Sequence, residues 1–274
     1  MSEADFEGDI MRTNRAQCPG CKSKELEPVF SRKEWASFVE GENDQRRRFV
    51  KAMDENASLA FENMLLCSLC GTAFTDFVPP DSALSDFYQQ YYGNSGYLAK
   101  ARRKVSLNVR RIFVLKLLTR GRRFIDVGCN VGCAVEAARR NGFAATGLEL
   151  DATAIEHAKS LFPANRFIVG NITAAPVGEV FDLVYCTEVI EHVPDTASFI
   201  DSISKLVAPG GVLSLTCPEA GARDALIRMP ELRPPEHLTL FSHRGIKSAL
   251  APWFKRVLVL PNFKSGNQVI AFKG

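Results

Sequence analysis

Four cysteines, one glycine-bracketed acidic turn and three histidines are the residues of this chain whose types and spacing suit chemistry. Cys18-Pro-Gly-Cys21 is answered by Cys67-Ser-Leu-Cys70-Gly71. Two such knuckles can set four thiolates tetrahedrally around zinc, a closed structural site with no open position for catalysis. Glycines within or after each pair let backbone amides turn toward sulfur. The plainer reading is four buried cysteines, and the pairing favours metal. The second group, Asp126-Val127-Gly128-Cys129-Asn130-Val131-Gly132, forms a tight turn followed by an acidic pair, Glu149 and Asp151. Its glycines suit close approach of a ligand to backbone. His192, His237 and His243 compete for any general-base role.

The elements that must position these groups can be read around them. Phe124 to Gly128 is rich in apolar and β-branched residues and reads as a buried strand. A helix beginning at Ala134 and Val135 stops at Asn141-Gly142, and Ala144 to Leu150 is a second strand. This βαβ unit carries its turn at the carboxyl end of the first strand, where such folds bind ligands. The alternation continues. Asp151 to Phe162 is predicted helical, Arg166 to Asn171 a third strand, Phe181 to Thr187 a fourth, and Asp195 to Val207 helical. Pro209-Gly210-Gly211 is predicted to turn into a fifth strand, Val212 to Thr216. A helix from Ser242 and His243 then precedes an antiparallel pair, Lys255 to Leu260 and Gln268 to Phe272. The expected fold class is α/β: a Rossmann-like, seven-stranded, mostly parallel sheet with the last strand antiparallel and helices on both faces.

Upstream, Ser31 and Glu34 form a capping-box pattern before Trp35, Phe38 and Val39. After the polar break Gly41 to Asp44, Phe49, Val50, Met53, Ala57 and Ala60 continue at helical spacing, which explains the long interval between the cysteine pairs. Leu84, Phe87, Tyr88 and Tyr91 then share a stripe leading into Tyr91 to Tyr97, aromatics around glycines that suit a lid or a packed linker. Val105, Val109, Ile112 and Phe113 mark a buried helix face. Arg102, Arg103, Arg110 and Arg111 lie on its other faces, as a solvated surface or as a contact for phosphate or RNA. The expected organisation is a zinc-binding module over 1–80, a helical linker or lid over 81–121 and an α/β domain over 122–274.

Composition narrows the class. A chain of 274 residues with 46% hydrophobic content can bury a sizeable core, and a net charge of +3 does not imply nucleic acid by itself. No apolar run approaches the roughly 18 residues of a membrane span. The acidic start MSEADFEGDI has no secretory h-region, and eight cysteines without such a signal argue for reduced thiols or metal ligands. The expected location is cytoplasmic, without membrane insertion; the oligomeric state is left open.

The turn lacks the third glycine of G-x-G-x-x-G, and the phosphate-cradling G-x-x-x-x-G-K-[ST] is absent. Instead Asp126 to Gly132 resembles motif I of class I S-adenosylmethionine-dependent methyltransferases. Later features keep that family's order: Glu149, Asn171, Phe181-Asp182-Leu183-Val184, Glu188-Val189-Ile190-Glu191-His192-Val193 and Pro209-Gly210-Gly211. The resemblance covers roughly Arg122 to Pro218. It implies S-adenosylmethionine as cofactor, held by Asp126, Gly128, Cys129, Asn130, Gly132 and Thr187. It places Glu149 on the ribose hydroxyls, Asn171 at the adenine amino edge, and Leu150 and Ile172 on either side of the ring. Asn130 replaces the middle glycine, a change that asparagine's tolerance of left-handed backbone accommodates. His237, beside Glu236 in the loop after strand five, is the first choice for a base and His192 the second. No metal is assigned to Glu188 and Glu191, because no further histidine is adjacent.

The whole pattern resembles bacterial methyltransferases with an N-terminal zinc segment that act on sugars, nucleotide-sugars or other small metabolites. Arg233-Pro234-Pro235 departs from the tyrosine such enzymes carry before Glu-His, and they also carry a large C-terminal domain. Two other readings stay open: an rRNA or tRNA methyltransferase using the zinc module and basic helix, and a non-catalytic S-adenosylmethionine-binding scaffold.

Overall fold

The computed structural model describes residues 13–41, 46–92, 96–172, 175, 178–262 and 266–274, with side chains described outside 89–102, 261 and 262. The acidic N-terminus, positions 42–44 of the polar break, positions 93–95 of the expected lid, and the side chains of Tyr91, Tyr92, Tyr97 and Arg102 lie outside the described residues.

Strands β1 (Thr13–Asn14), β2 (Leu26–Ser31), β3 (Asn63–Cys67), β4 (Ala73–Thr75) and β5 (Phe77–Val78) come first, with helices α1 (Arg32–Gly41) and α2 (Arg47–Glu55) between β2 and β3. The capping box forms as its spacing predicts. The Ser31 amide donates to Glu34 Oε2 at 2.7 Å and the Glu34 amide to Ser31 Oγ at 3.2 Å. Trp35, Val39, Phe49, Val50 and Met53 turn inward and form a core with Phe61 and Met64.

Helices α3 (Asp81–Tyr92) and α4 (Gly96–Lys116) lead into the larger sheet. It is built from β6 (Arg123–Val127), α5 (Cys133–Arg140), β7 (Ala144–Glu149), α6 (Ala152–Leu161), β8 (Arg166–Val169), β9 (Phe181–Thr187), α7 (Thr196–Leu206) and β10 (Val207–Pro218). A short strand β11 (Thr239–Leu240), α8 (His243–Leu250), β12 (Arg256–Asn262) and β13 (Gly266–Phe272) complete the chain. The strand order is β12-β13-β10-β9-β6-β7-β8, and only β13 runs against its neighbours. Alternate residues of β6 face opposite layers. Phe124 packs with α4 and α5, whereas Ile125 and Val127 pack with α7 and α8.

Three boundaries differ from expectation. Helix α2 ends at Glu55, because Asn56 turns extended and accepts from the Ser58 amide, so Ala57 lies in a separate tight turn and Ala60 beyond it. Pro209-Gly210-Gly211 does not precede the fifth strand but lies within it, as a shift of register between Val207 and Val212 with Gly210 at φ 70°. The third strand ends at Val169, so Gly170 and Asn171 belong to the loop beyond it.

The smaller four-stranded sheet has the order β11-β4-β3-β2. Its outer strand comes from a segment more than 160 residues beyond its partner in the chain, with Thr239 opposite Phe74 and Leu240 opposite Ala73. Leu226, Leu232, Leu238 and Leu240 from that later segment are buried in the same core as Trp35 and Phe49. Alternation patterns read along the chain do not reveal such pairing.

Candidate functional site

Strand order reverses between β6 and β9, and the loops after these two strands meet at the carboxyl edge of the sheet. In the first loop Gly128, Asn130 and Gly132 all have left-handed backbone, at φ 80°, 48° and 76°. A side chain at Gly128 would collide with Val189 of the loop after β9, and one at Gly132 with Phe167. Gly132 caps α5 without a side-chain bond, leaving first-turn amides for an anionic group. Asn130 folds its own Oδ1 back to accept from the Val131 amide at 2.8 Å.

Glu149, ending β7, gathers this turn. Its Oε2 accepts from the Asn130 amide at 2.9 Å, and its Oε1 accepts from the Leu150 and Asp151 amides at 2.8 and 3.2 Å. Asp126 is buried beneath it, and its Oδ1 has no hydrogen-bond partner among the described residues. Burial, with Glu149 nearby, pushes the Asp126 carboxyl up to about 8. A nearby cation would restore its ionised form. Cys129 is buried, with its sulfur close against Gly147, and contributes packing and backbone. Leu150 is 68% exposed at the mouth, Asn171 and Ile172 follow β8, and Thr187 ends β9 opposite Thr216.

The second loop carries Glu188 to His192. Glu188 holds φ 55°, an uncommon conformation for its type, with its amide on the Thr216 carbonyl and its Oε1 accepting from Thr216 Oγ1 at 2.9 Å. Glu191 is fully buried, and neither carboxylate oxygen has a hydrogen-bond partner among the described residues. Burial and neighbouring Glu188 hold its carboxyl well above the usual range. The chain after β10 brings Glu236 and His237 alongside. His192 Nδ1 lies 2.7 Å from the Glu236 carbonyl, and His237 Nδ1 lies 2.6 Å from the Glu231 carbonyl. A carbonyl only accepts, so each Nδ1 carries the hydrogen and each Nε2 presents a lone pair. Burial holds His192 down at about 4 and His237 well below its ordinary value, so both are neutral near pH 7. The rings stack edge to face, 4.8 Å between centroids.

One ligand atom from each of Glu191, His192 and His237 lies within 4.8 Å of the others. The sequence withheld a metal here because no histidine is adjacent; the fold supplies His237 from far downstream. Tyr88 was legible only as one position of an aromatic stripe. Its hydroxyl donates to the Glu236 carbonyl at 3.3 Å and lies equally close to His192 Nδ1. His243 stands apart as the first residue of α8, which Ser242 caps, and its Nε2 lies 3.3 Å from Glu219.

The four N-terminal cysteines also converge. Their sulfurs lie within 4.8 Å of one another, with Cys18 and Cys70 at 3.6 Å and Cys21 and Cys67 at 3.5 Å. Zinc–thiolate bonds of about 2.3 Å predict tetrahedral edges of about 3.8 Å, so the set fits that ion. The knuckles repeat each other. Lys22 N–H donates to the Cys18 carbonyl and Gly71 N–H to the Cys67 carbonyl, each donor residue being left-handed. In the first knuckle that residue is therefore Lys22. Gly20 instead lets the chain approach Gly245 at the start of α8.

A mostly parallel seven-stranded sheet with a glycine turn at its switch point and an acid ending the next strand is a Rossmann-like methyltransferase fold. The family model described as "Methyltransferase domain" matches residues 97–251, and the chain belongs to that family. The ubiquinone biosynthesis O-methyltransferase of Vibrio cholerae serotype O1 is 32% identical over 151 residues, covering 46% of this chain and 62% of the relative. The chain thus matches less than two thirds of that relative's length. The PH0226 protein of Pyrococcus horikoshii OT3 aligns with a TM-score of 0.52 and 14% identity, over 66% of this chain and 93% of that one. Magnesium protoporphyrin IX methyltransferase from Synechocystis PCC 6803, solved with bound SAH, aligns with a TM-score of 0.50 and 16% identity, over 71% and 96%. These two likenesses concern the fold alone.

Proposed function

We propose that this protein transfers a methyl group from S-adenosylmethionine to a hydroxyl of a small-molecule acceptor, with sugars and nucleotide-sugars as the first class to test. The observation that carries this is the juxtaposition of two differently equipped loops, joined where Val189 covers Gly128. One gathers backbone amides around Glu149 and buries Asp126; the other carries the neutral imidazole of His192, which meets that of His237 from the chain after β10. O-methyl transfer is also what the Vibrio cholerae relative's name describes. When bound, the cofactor supplies a methyl group activated by a sulfonium.

The chain's part is orientation and proton handling. Glu149 would exchange its amide contacts for ribose hydroxyls, and first-turn amides of α5 would hold the methionine carboxylate. Buried Asp126 would regain its charge beside the cofactor's cation. Asn171 would meet the adenine amino edge between Leu150 and Ile172. Nε2 of His237 or His192 would accept the hydroxyl proton, with Glu236 and Tyr88 fixing the His192 tautomer. Zinc on Cys18, Cys21, Cys67 and Cys70 would brace the module from which Tyr88 follows.

Calorimetric titration with S-adenosylmethionine tests the cofactor half. Glu149→Ala is expected to weaken binding by about tenfold or more, the scale of lost charged hydrogen bonds. Binding that is absent, or indifferent to this change, sinks the reading. A labelled-methyl screen over sugars, nucleotide-sugars, phenols and total RNA tests the acceptor half. Transfer to RNA alone would favour the nucleic-acid alternative, and binding without transfer the scaffold.

The convergence of Glu191, His192 and His237 supports a second reading, in which these side chains hold a divalent cation on the acceptor side. Burying a carboxyl with neither oxygen satisfied is costly, and a cation would remove that cost. Equilibrium dialysis against manganese is expected to show one ion lost in Glu191→Gln, separate from zinc. Unchanged manganese uptake in that variant rejects the cation and leaves the imidazoles as bases.

A further inference from the structure

We propose that the outward face of α4 is a peripheral docking surface for an anionic lipid bilayer. Five of the eleven exposed large hydrophobic side chains among the described residues fall between Leu107 and Leu118. Leu107 is 52% exposed, Val114 60% and Leu117 71%, flanked by Leu118 and by Phe113, which at 54% exposed does not share the buried face of Val105 and Ile112 that its spacing predicts. The opposite side of the helix is satisfied, because Val105, Ile112 and Leu115 are buried against Cys133, Ala134 and Ala137 of α5. The exposed side chains therefore form a second apolar face that the domain core does not use.

Charge selects the partner. From residue 103 to 123 the chain has eight lysines and arginines and no aspartate or glutamate. Some of these cations are engaged inward: Lys116 donates to the Asn141 carbonyl at 2.6 Å, and Arg123 approaches Asp182 at 3.9 Å. Arg103 and Arg110 are exposed on the same outward stripe of α4 as Leu107 and Val114, at steps of four and three residues, and exposed Leu117 follows in the turn that ends the helix. A bilayer interface accommodates both kinds of group. Aliphatic and aromatic side chains enter the acyl boundary while guanidinium groups reach lipid phosphates. Nucleic acid would satisfy the arginines but leave leucines and valine against phosphate and water. A second copy meeting this face would set like charges against one another. No helix among the described residues is long and apolar enough to cross a membrane, so the attachment is superficial.

Co-sedimentation of the full chain with vesicles tests this, comparing phosphatidylcholine alone with mixtures containing about one third phosphatidylglycerol. Wild type is expected to pellet with the anionic vesicles only, and less at high salt. The double variant Val114→Glu, Leu117→Glu should lose at least about tenfold in partitioning. Arg103→Gln with Arg110→Gln should weaken binding without changing the apolar stripe, and thermal melts identify any variant that has not folded. Equal pelleting with neutral vesicles, or binding unaffected by the glutamates, overturns the proposal. So does RNA retention that depends on the arginines and ignores Leu117→Glu, or a dimer that dissociates in Val114→Glu.

Discussion

Asn130 occupies a backbone conformation that costs most side chains about 1–2 kcal/mol, at φ 48° between two left-handed glycines. Its side chain offsets part of that by accepting from the Val131 amide, and its own amide donates to Glu149. Asn130→Gly is therefore expected to change stability by less than about 1 kcal/mol and to keep cofactor affinity. Asn130→Ala should lose about 1–2 kcal/mol in urea denaturation and weaken S-adenosylmethionine binding. If alanine is tolerated as well as glycine, the conformation is not what selects asparagine. This residue was legible because its neighbours in the chain are its neighbours in space. The pairing of His192 with His237 was not, because it depends on how the segment after β10 packs. Nor was the burial of Glu191, which its exposed-looking acidic context conceals.

At the scale of elements, the knuckle Cys67–Cys70 continues into β4, and β4 pairs with β11 two residues beyond His237. The Thr75 amide donates to the Leu238 carbonyl, Ser242 Oγ to the Cys70 carbonyl, and Arg15 Nη1 to the Leu238 carbonyl at 2.9 Å. The cysteine cluster is thus joined through one ladder to the segment that carries His237. Stripping zinc with a chelator, or Cys67→Ser, should abolish hydrogen-exchange protection at Thr75 and Leu240 and leave β6 and β9 protected. Methyl transfer should fall while S-adenosylmethionine still binds. Cofactor binding lost in parallel with exchange protection would show that the two parts are not separable in this way. The convergence of the four cysteines was legible from their spacing; the ladder was not, since a two-residue strand carries almost no pattern.

At the scale of the molecule, the alternating pattern from Phe124 onward predicted the seven-stranded sheet and its single reversed strand. That part is built from local βα steps, each with its own hydrophobic period. The smaller sheet escaped prediction because it is assembled from both ends of the chain. A protein made from its N-terminus exposes the cysteine knuckles and β2–β4 long before Thr239 and Leu240 exist. Until then β4 has an open edge, and the core around Trp35 and Phe49 lacks four leucines. A module begun early is completed only when that later segment follows. Its early half therefore waits on the ribosome with a bare strand, at the stage when a holding chaperone or early-bound zinc has the most to protect.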